Sequence, residues 1–230
     1  MQWLYLLLNL ASISVPLAYS FEKKMHFIQH WRQVFLSTVF VAIPFLIWDI
    51  IFTKQGIWGF TPSYNTGITI LGLPLEEYLF FICIPYACIF MYYAFAHFFP
   101  RTALPKRAVA IISVLLLCLA GLMVATHLGK AYTVVNFLFF SVVLLMGVRW
   151  GATILQRFYL VFCLILLPFF LINGILTGSF IEAQVVWYNN DENMSFRIGT
   201  IPFEDIFYAF SMIFLNIFLL EKFLLKKGTT

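Results

Sequence analysis

Apolar stretches of about twenty residues, separated by short polar and turn-forming clusters, follow one another along the chain. Seven segments fit this pattern, at 2–20, 34–52, 76–97, 108–126, 132–148, 158–176 and 203–221. Each comes close to the roughly 20 residues a helix needs to cross a bilayer. Within them the apolar residues run on continuously, without the period-two alternation of a membrane barrel. Lipid tolerates only helices and closed barrels, because every backbone polar group must be satisfied internally. The pattern therefore predicts an all-α, polytopic integral membrane protein with seven transmembrane helices.

Composition strengthens this reading. Hydrophobic residues make up 63% of the chain and charged residues 10%, where a soluble domain carries about 25% charge. The charges also have a side. Lys23, Lys24, Arg32, Arg101, Lys106, Arg107, Arg149, Arg157, Lys222, Lys226 and Lys227 flank the segments on one side of the predicted membrane, and only Lys54, Lys130 and Arg197 on the other. Basic residues favour the cytoplasm. The predicted location is the inner (cytoplasmic) membrane, with an extracytoplasmic N-terminus and a cytoplasmic C-terminus. The net charge of +4 is then a topology signal, and no nucleic-acid partner is expected. The first segment lacks the basic leading region of a signal peptide and is read as a retained helix. Cys83, Cys88, Cys118 and Cys163 fall inside apolar segments, as small packing residues do.

The two halves of the chain repeat each other. At an offset of 124, Asp49 aligns with Asn173, Thr53 with Thr177, and Tyr64-Asn65 with Tyr188-Asn189. Four extra residues, taken to lie around Asp191–Met194, shift the offset to 128 and align Pro74-x-Glu76-Glu77 with Pro202-x-Glu204-Asp205. Three organisational units follow: a first repeat at 1–100 (helices 1–3), a connector helix 4 within 101–128, and a second repeat at 129–230 (helices 5–7). The connector makes the two repeats parallel, an arrangement known among membrane proteins. Both acidic motifs then open their helices at the same membrane face.

Acidic pairs at the start of membrane spans are costly and mark function. The plainer reading is helix-start chemistry, with Pro at the first helical position and acids in the first turn suiting the dipole. The repetition, the membrane setting and the aromatic residues that follow (Tyr78, Phe80, Phe81; Phe207, Tyr208, Phe210) favour a functional site. Neighbouring helical residues point about 100° apart, so one acid of each pair faces a cavity and the other braces it. Glu76 and Glu204, identical in type, are the first choice for the cavity, with Glu77 and Asp205 beside them. A carboxyl held in an apolar pocket can serve as an acid and a second, better solvated one as a base. Asp49, Asn65, Asn173, Asn189, Tyr64, Tyr188, Phe80 and Tyr208 are expected around the carboxyls. Asp49 and Asn173 fit helix caps equally well, and Trp58, Tyr64, Trp187 and Tyr188 fit an interfacial aromatic belt better. His26 and His30 have i,i+4 spacing but no third ligand, so no metal is expected.

The doubled Pro-x-Glu-Glu and Pro-x-Glu-Asp motif, with Tyr-Asn upstream of each copy, resembles the lycopene cyclase domain family of small integral-membrane carotenoid cyclases. The likeness covers helices 1–3 and 5–7, fused here in one chain. It implies a lycopene β-cyclase, an intramolecular lyase or isomerase of carotenoid biosynthesis that closes ionone rings by acid–base carbocation chemistry without net redox change. The sequence has no GxGxxG fingerprint, so no cofactor is expected. The implied partners are lycopene or a related linear carotenoid, drawn laterally from the membrane lipid, together with carotenoid-pathway enzymes or a homo-oligomer. The rival reading is a proton-coupled membrane transporter or a non-catalytic lipid- or carotenoid-binding protein. A carrier needs polar mid-span residues, and here these are mostly Phe, Leu and Ile. A retinal receptor needs a mid-span lysine, which the last helix lacks.

Overall fold

The computed structural model describes residues 2–225; Lys226 and Lys227, counted above as basic residues, lie outside them. Seven α-helices occur among the described residues: α1 Leu4–Tyr19, α2 Trp31–Lys54, α3 Leu75–Phe98, α4 Lys106–Thr126, α5 Ala131–Trp150, α6 Ala152–Leu176 and α7 Glu204–Leu219. A single π-type turn at Leu220–Leu224 prolongs α7. Six of these apolar helices are long enough to cross a membrane, while α1 has 16 residues. The protein is thus all-α and a multi-pass membrane protein. The helix limits depart from the sequence reading mainly in α6, which starts at Ala152 directly after Gly151.

Helices α1, α2 and α3 pack together, α5, α6 and α7 likewise, and α2, α3, α6 and α7 meet between the two groups. The helix packed on the outside, α4, contacts α5 and α6. Phe137, Phe140, Phe158, Phe207, Phe210 and Phe214 form one buried aromatic cluster joining α5, α6 and α7. Gly147 permits this approach, because a methyl group there would lie 2.8 Å from the Phe214 ring. Small residues at helix crossings serve this purpose in lipid, where packing rather than hydrophobicity drives association.

The connections before α3 and α7 hold short β-pairs that hydrophobic periodicity did not announce. β1 (Trp58–Phe60) pairs antiparallel with β4 (Val186–Tyr188), with Trp58 opposite Tyr188, and so ties the two halves together. β2 (Thr69–Ile70) and β3 (Leu73–Pro74) form a hairpin immediately before α3, and β5 (Arg197–Ile198) and β6 (Ile201–Pro202) form one before α7. Their two-residue turns need positive φ, which Gly72 and Gly199 supply. The prolines of the acidic motifs sit in these hairpins and not at the first helical position: Pro74 is extended at φ −65°, ψ 149°, and Pro202 is the last residue of β6.

The hairpins also correct the register of the repeat. β1 matches β4, β2 matches β5 and β3 matches β6 at a constant offset of 128. The offset of 124 holds inside α2 and α6, where Pro44 and Pro168 correspond. The four extra residues therefore lie between Thr177 and β4, in the longer connection after α6, and not at Asp191–Met194. The counterpart of Asn65 becomes Asn193, and Tyr188 corresponds to Phe60 instead of Tyr64.

Candidate active site

Both acidic pairs lie at the same end of the bundle, beside the β1–β4 pair, the starts of α1 and α5, and the ends of α2 and α6. All four carboxyls are buried, and each pair divides its work in the same way. Glu76 and Glu204 point into the protein and hold the preceding loops. Oε1 of Glu76 accepts the Thr66 backbone N–H at 2.7 Å, and Oε1 of Glu204 accepts the Met194 N–H at 2.8 Å and the Thr133 hydroxyl at 2.7 Å. Their Oε2 atoms are buried without a hydrogen-bond partner in both halves. Asn65 and Asn193 shape these loops alike: each side-chain oxygen accepts the N–H two residues on, from Gly67 at 3.0 Å and from Ser195 at 2.7 Å. Such Asx turns are the reason asparagine suits these positions.

Glu77 and Asp205, one residue further along each helix, line a cavity of about 570 Å³. The expectation that one acid faces a cavity and its neighbour braces it holds, but the choice of Glu76 and Glu204 as the cavity pair is corrected. The loop ahead of each hairpin offers a backbone N–H, from Thr66 or Met194, to the first acid, and the rotation of about 100° per residue then turns the second one to the cavity.

Tyrosines hold the cavity carboxyls. Tyr5 on α1 donates to Glu77 Oε2 at 2.5 Å, and Tyr132 on α5 donates to Asp205 Oδ1 at 2.6 Å. Tyr188 on β4 donates to Asp205 Oδ2 at 3.0 Å. Burial, and then the Asp205 carboxylate beside it, hold the Tyr188 phenol well above the usual tyrosine range, so it remains a donor. One turn after each α1 and α5 tyrosine, an asparagine clamps the acidic helix: Asn9 donates to the Glu76 carbonyl at 2.8 Å and Asn136 to the Glu204 carbonyl at 2.6 Å. Asp49, at the end of α2, lines the same cavity as Glu77 and accepts the Tyr208 hydroxyl at 3.3 Å. Two acids from different helices and one from the other half thus share one chamber. Among the described residues no lysine, arginine or histidine lines it. The rest of the wall is mostly aliphatic and aromatic, with Trp58, Phe80, Tyr188 and Tyr208 among it and Ser12, Asn173 and Thr177 as further polar residues.

Of the residues expected around the carboxyls, Asp49, Asn173, Tyr188, Phe80 and Tyr208 line the cavity, and Tyr64, Asn65 and Asn189 do not. Tyr64 is buried and accepts the Ala183 N–H at 3.1 Å. Asn189 accepts the Asp191 N–H at 3.0 Å, a turn of its own without a counterpart role in the first half. The aromatic-belt reading fails for Trp58 and Tyr64, which are buried, while Trp187 is exposed. The sequence reading missed Tyr5, Asn9, Tyr132, Thr133, Asn136 and Asn193. The signal was present: Tyr5-x-x-x-Asn9 and Tyr132-x-x-x-Asn136 place a tyrosine and an asparagine on one helix face in both halves.

The family model described as lycopene cyclase matches residues 2–95 and 129–223, the stretches that hold both acidic pairs and every clamp just described. The chain belongs to the lycopene cyclase family. The two matched stretches leave out α4. The chain is also similar to proteins named lycopene beta-cyclase from two strains of Halobacterium salinarum, each 47% identical over 51 residues. That match spans 22% of this chain and 22% of each relative. No solved structure matches the chain.

Proposed function

We propose that this protein is a lycopene β-cyclase that closes an ionone ring on the end of a linear carotenoid by acid–base catalysis. The observation that carries the proposal is the group of Glu77, Asp49 and Asp205 at the closed end of an otherwise apolar, aromatic-walled cavity. Carboxyls that share one chamber, with no cation among the described lining residues, favour holding a proton between them, as in aspartic dyads. In this reading Glu77, with Asp49 behind it, gives that proton to the terminal double bond of the substrate. The electron pair of an internal double bond then attacks the tertiary cation and closes the ring. Loss of a proton from the ring carbon restores a double bond. One proton enters and one leaves, so the product is an isomer of the substrate and no redox cofactor takes part.

Asp205 is the proposed base. It accepts from two tyrosine hydroxyls, one on each oxygen, which hold its carboxyl in place at the cavity. Tyr208, Tyr188, Trp58 and Phe80 line the space where positive charge would develop, and aromatic faces stabilise cations. Glu76 and Glu204 hold the loops and are not proposed to touch the substrate. The reading further takes α1, despite its 16 residues, as the seventh span. It takes the halves as parallel repeats and the carboxyl end as extracytoplasmic, because the basic residues gather at the opposite end.

The test is expression in a lycopene-accumulating bacterium with pigment analysis. Cyclised pigment from the wild-type chain, lost in the Glu77→Gln variant, is the expected outcome. Unchanged lycopene with the wild-type protein present in the membrane overturns the proposal.

A further inference from the structure

The carboxyl machinery is present twice, but among the described residues the open cavity runs along one of the two corresponding helix groups. From Glu77 and Asp205 the cavity runs down one face of α3 through Phe80, Ile84, Ala87, Met91 and Ala94, a length of about 26 Å at roughly 1.5 Å per residue. Its other walls are Ala11, Ser12, Val15 and Pro16 of α1, Ile165 to Leu176 of α6, and Ala209, Met212 and Ile213 of α7. It is therefore a groove parallel to the helices, with the acids at one end. Val15 and Leu171 line it while remaining 61% and 58% exposed. The groove thus opens sideways between α1 and α6, towards lipid.

The repeat places a second groove between α5, α7, α2 and α3. That space is filled. The register that aligns Tyr5 with Tyr132 aligns Ser12 with Phe139 and Pro16 with Val143, and the register of α2 and α6 aligns Ile172 with Trp48. Phe139 packs edge-on against Phe45 at 5.4 Å and against Trp48 at 5.7 Å, and Tyr208 closes the group at 5.0 Å from Phe45 and 5.2 Å from Trp48. On the open side stand a serine hydroxyl turned back onto the Leu8 carbonyl at 2.7 Å and an isoleucine. Pro16, which lacks the N–H for the Ser12 carbonyl, adds to the difference.

Resting on the proposed cyclase reading, we infer that the chain binds one extended polyene at a time. The polyene lies along the α1/α3/α6/α7 groove, entered between α1 and α6, with one end group at Glu77 and Asp205. Ser12 and Ile172 are the positions that keep this groove open, and Phe139 with Trp48 is the plug that closes its counterpart. A long, narrow, apolar groove with acids only at its end fits a rod-shaped hydrocarbon and not a compact lipid headgroup. Each encounter then presents a single end of the substrate to the acids, and a second ring requires the molecule to leave and return reversed.

The experiment measures lycopene bound per chain in detergent by pigment absorbance, beside conversion. One lycopene per wild-type chain is expected. Ser12→Phe and Ile172→Trp should each reduce this at least tenfold, and Phe139→Ser with Trp48→Ile should raise it towards two. Two lycopenes or none on the wild type overturns the inference. So does wild-type binding by a folded Ser12→Phe or Ile172→Trp protein. Should both blocking variants fail to fold, the wild-type stoichiometry and the plug-removal variant still decide. Binding at one per chain without conversion defeats the cyclase reading and leaves the groove, whereas conversion by variants with the groove blocked does the reverse.

Discussion

Replacing Tyr132 by phenylalanine removes one oxygen atom and leaves the ring, which packs edge-on against Trp58 at 5.1 Å and stacks on Tyr188 at 5.9 Å. What is lost is the 2.6 Å hydrogen bond to Asp205, buried on both sides. A hydrogen bond to a charged group contributes about 1.5–3 kcal/mol. If Asp205 acts as a carboxylate, that free energy is withdrawn from its charged form, so the fraction of protein that holds the base falls, and the rate with it. At ~1.36 kcal/mol per decade the cyclisation rate falls about 10- to 160-fold. Tyr188→Phe removes a longer bond of 3.0 Å from a half-buried residue and should fall at or below the low end of that range. The assay follows ring formation with time in membranes normalised to protein content, with thermal unfolding in detergent as the control. A Tyr132→Phe protein that cyclises at the wild-type rate refutes the role given to Asp205. So does one whose loss of activity is matched by a loss of folded protein.

The division of labour within each acidic pair gives a second prediction. Glu77→Gln should lower turnover by about 10²–10⁴, the usual worth of a positioned acid, with little change in unfolding temperature. Glu76→Ala, which strands the Thr66 N–H, should cost about 1–3 kcal/mol of stability, read as a lower unfolding temperature. The reverse pattern contradicts the assignment. Asn9→Ala and Asn136→Ala should each destabilise by about 0.6–1.7 kcal/mol, the range for polar contacts between membrane helices, and by similar amounts, since the two clamps are counterparts. Single cysteines introduced at Lys24 and Lys130, in a chain freed of its own cysteines, should react with an impermeant thiol reagent from opposite sides. Lys130 should be reached from outside and Lys24 only after the membrane is broken, and the opposite labelling reverses the proposed orientation.

The large features of the fold were legible because lipid constrains them strongly. Apolar length alone located all seven helices, and the acidic pairs stood out because charge is so rare in such segments. The rest depended on contacts that no periodicity carries. The choice between Glu76 and Glu77 turns on which of them receives the Thr66 backbone N–H from the loop ahead of the hairpin, and chemical identity between Glu76 and Glu204 pointed the wrong way. The matching of Tyr64-Asn65 with Tyr188-Asn189 was a chance identity across a length difference. Only the β-pairs and the Asx turns at Asn65 and Asn193 fix the true register. Tyr5 and Tyr132 passed as ordinary aromatic residues in aromatic-rich helices. Each becomes conspicuous only with its asparagine four residues on, repeated in both halves.

Cyclisation of lycopene by the purified protein in D₂O tests the central claim most directly. If a carboxyl that exchanges with solvent protonates the terminal double bond, each ring formed carries one deuterium, and the Glu77→Gln protein forms rings at least about 10²-fold more slowly. Rings without deuterium, or lycopene left unchanged by the folded wild-type protein, contradict the account.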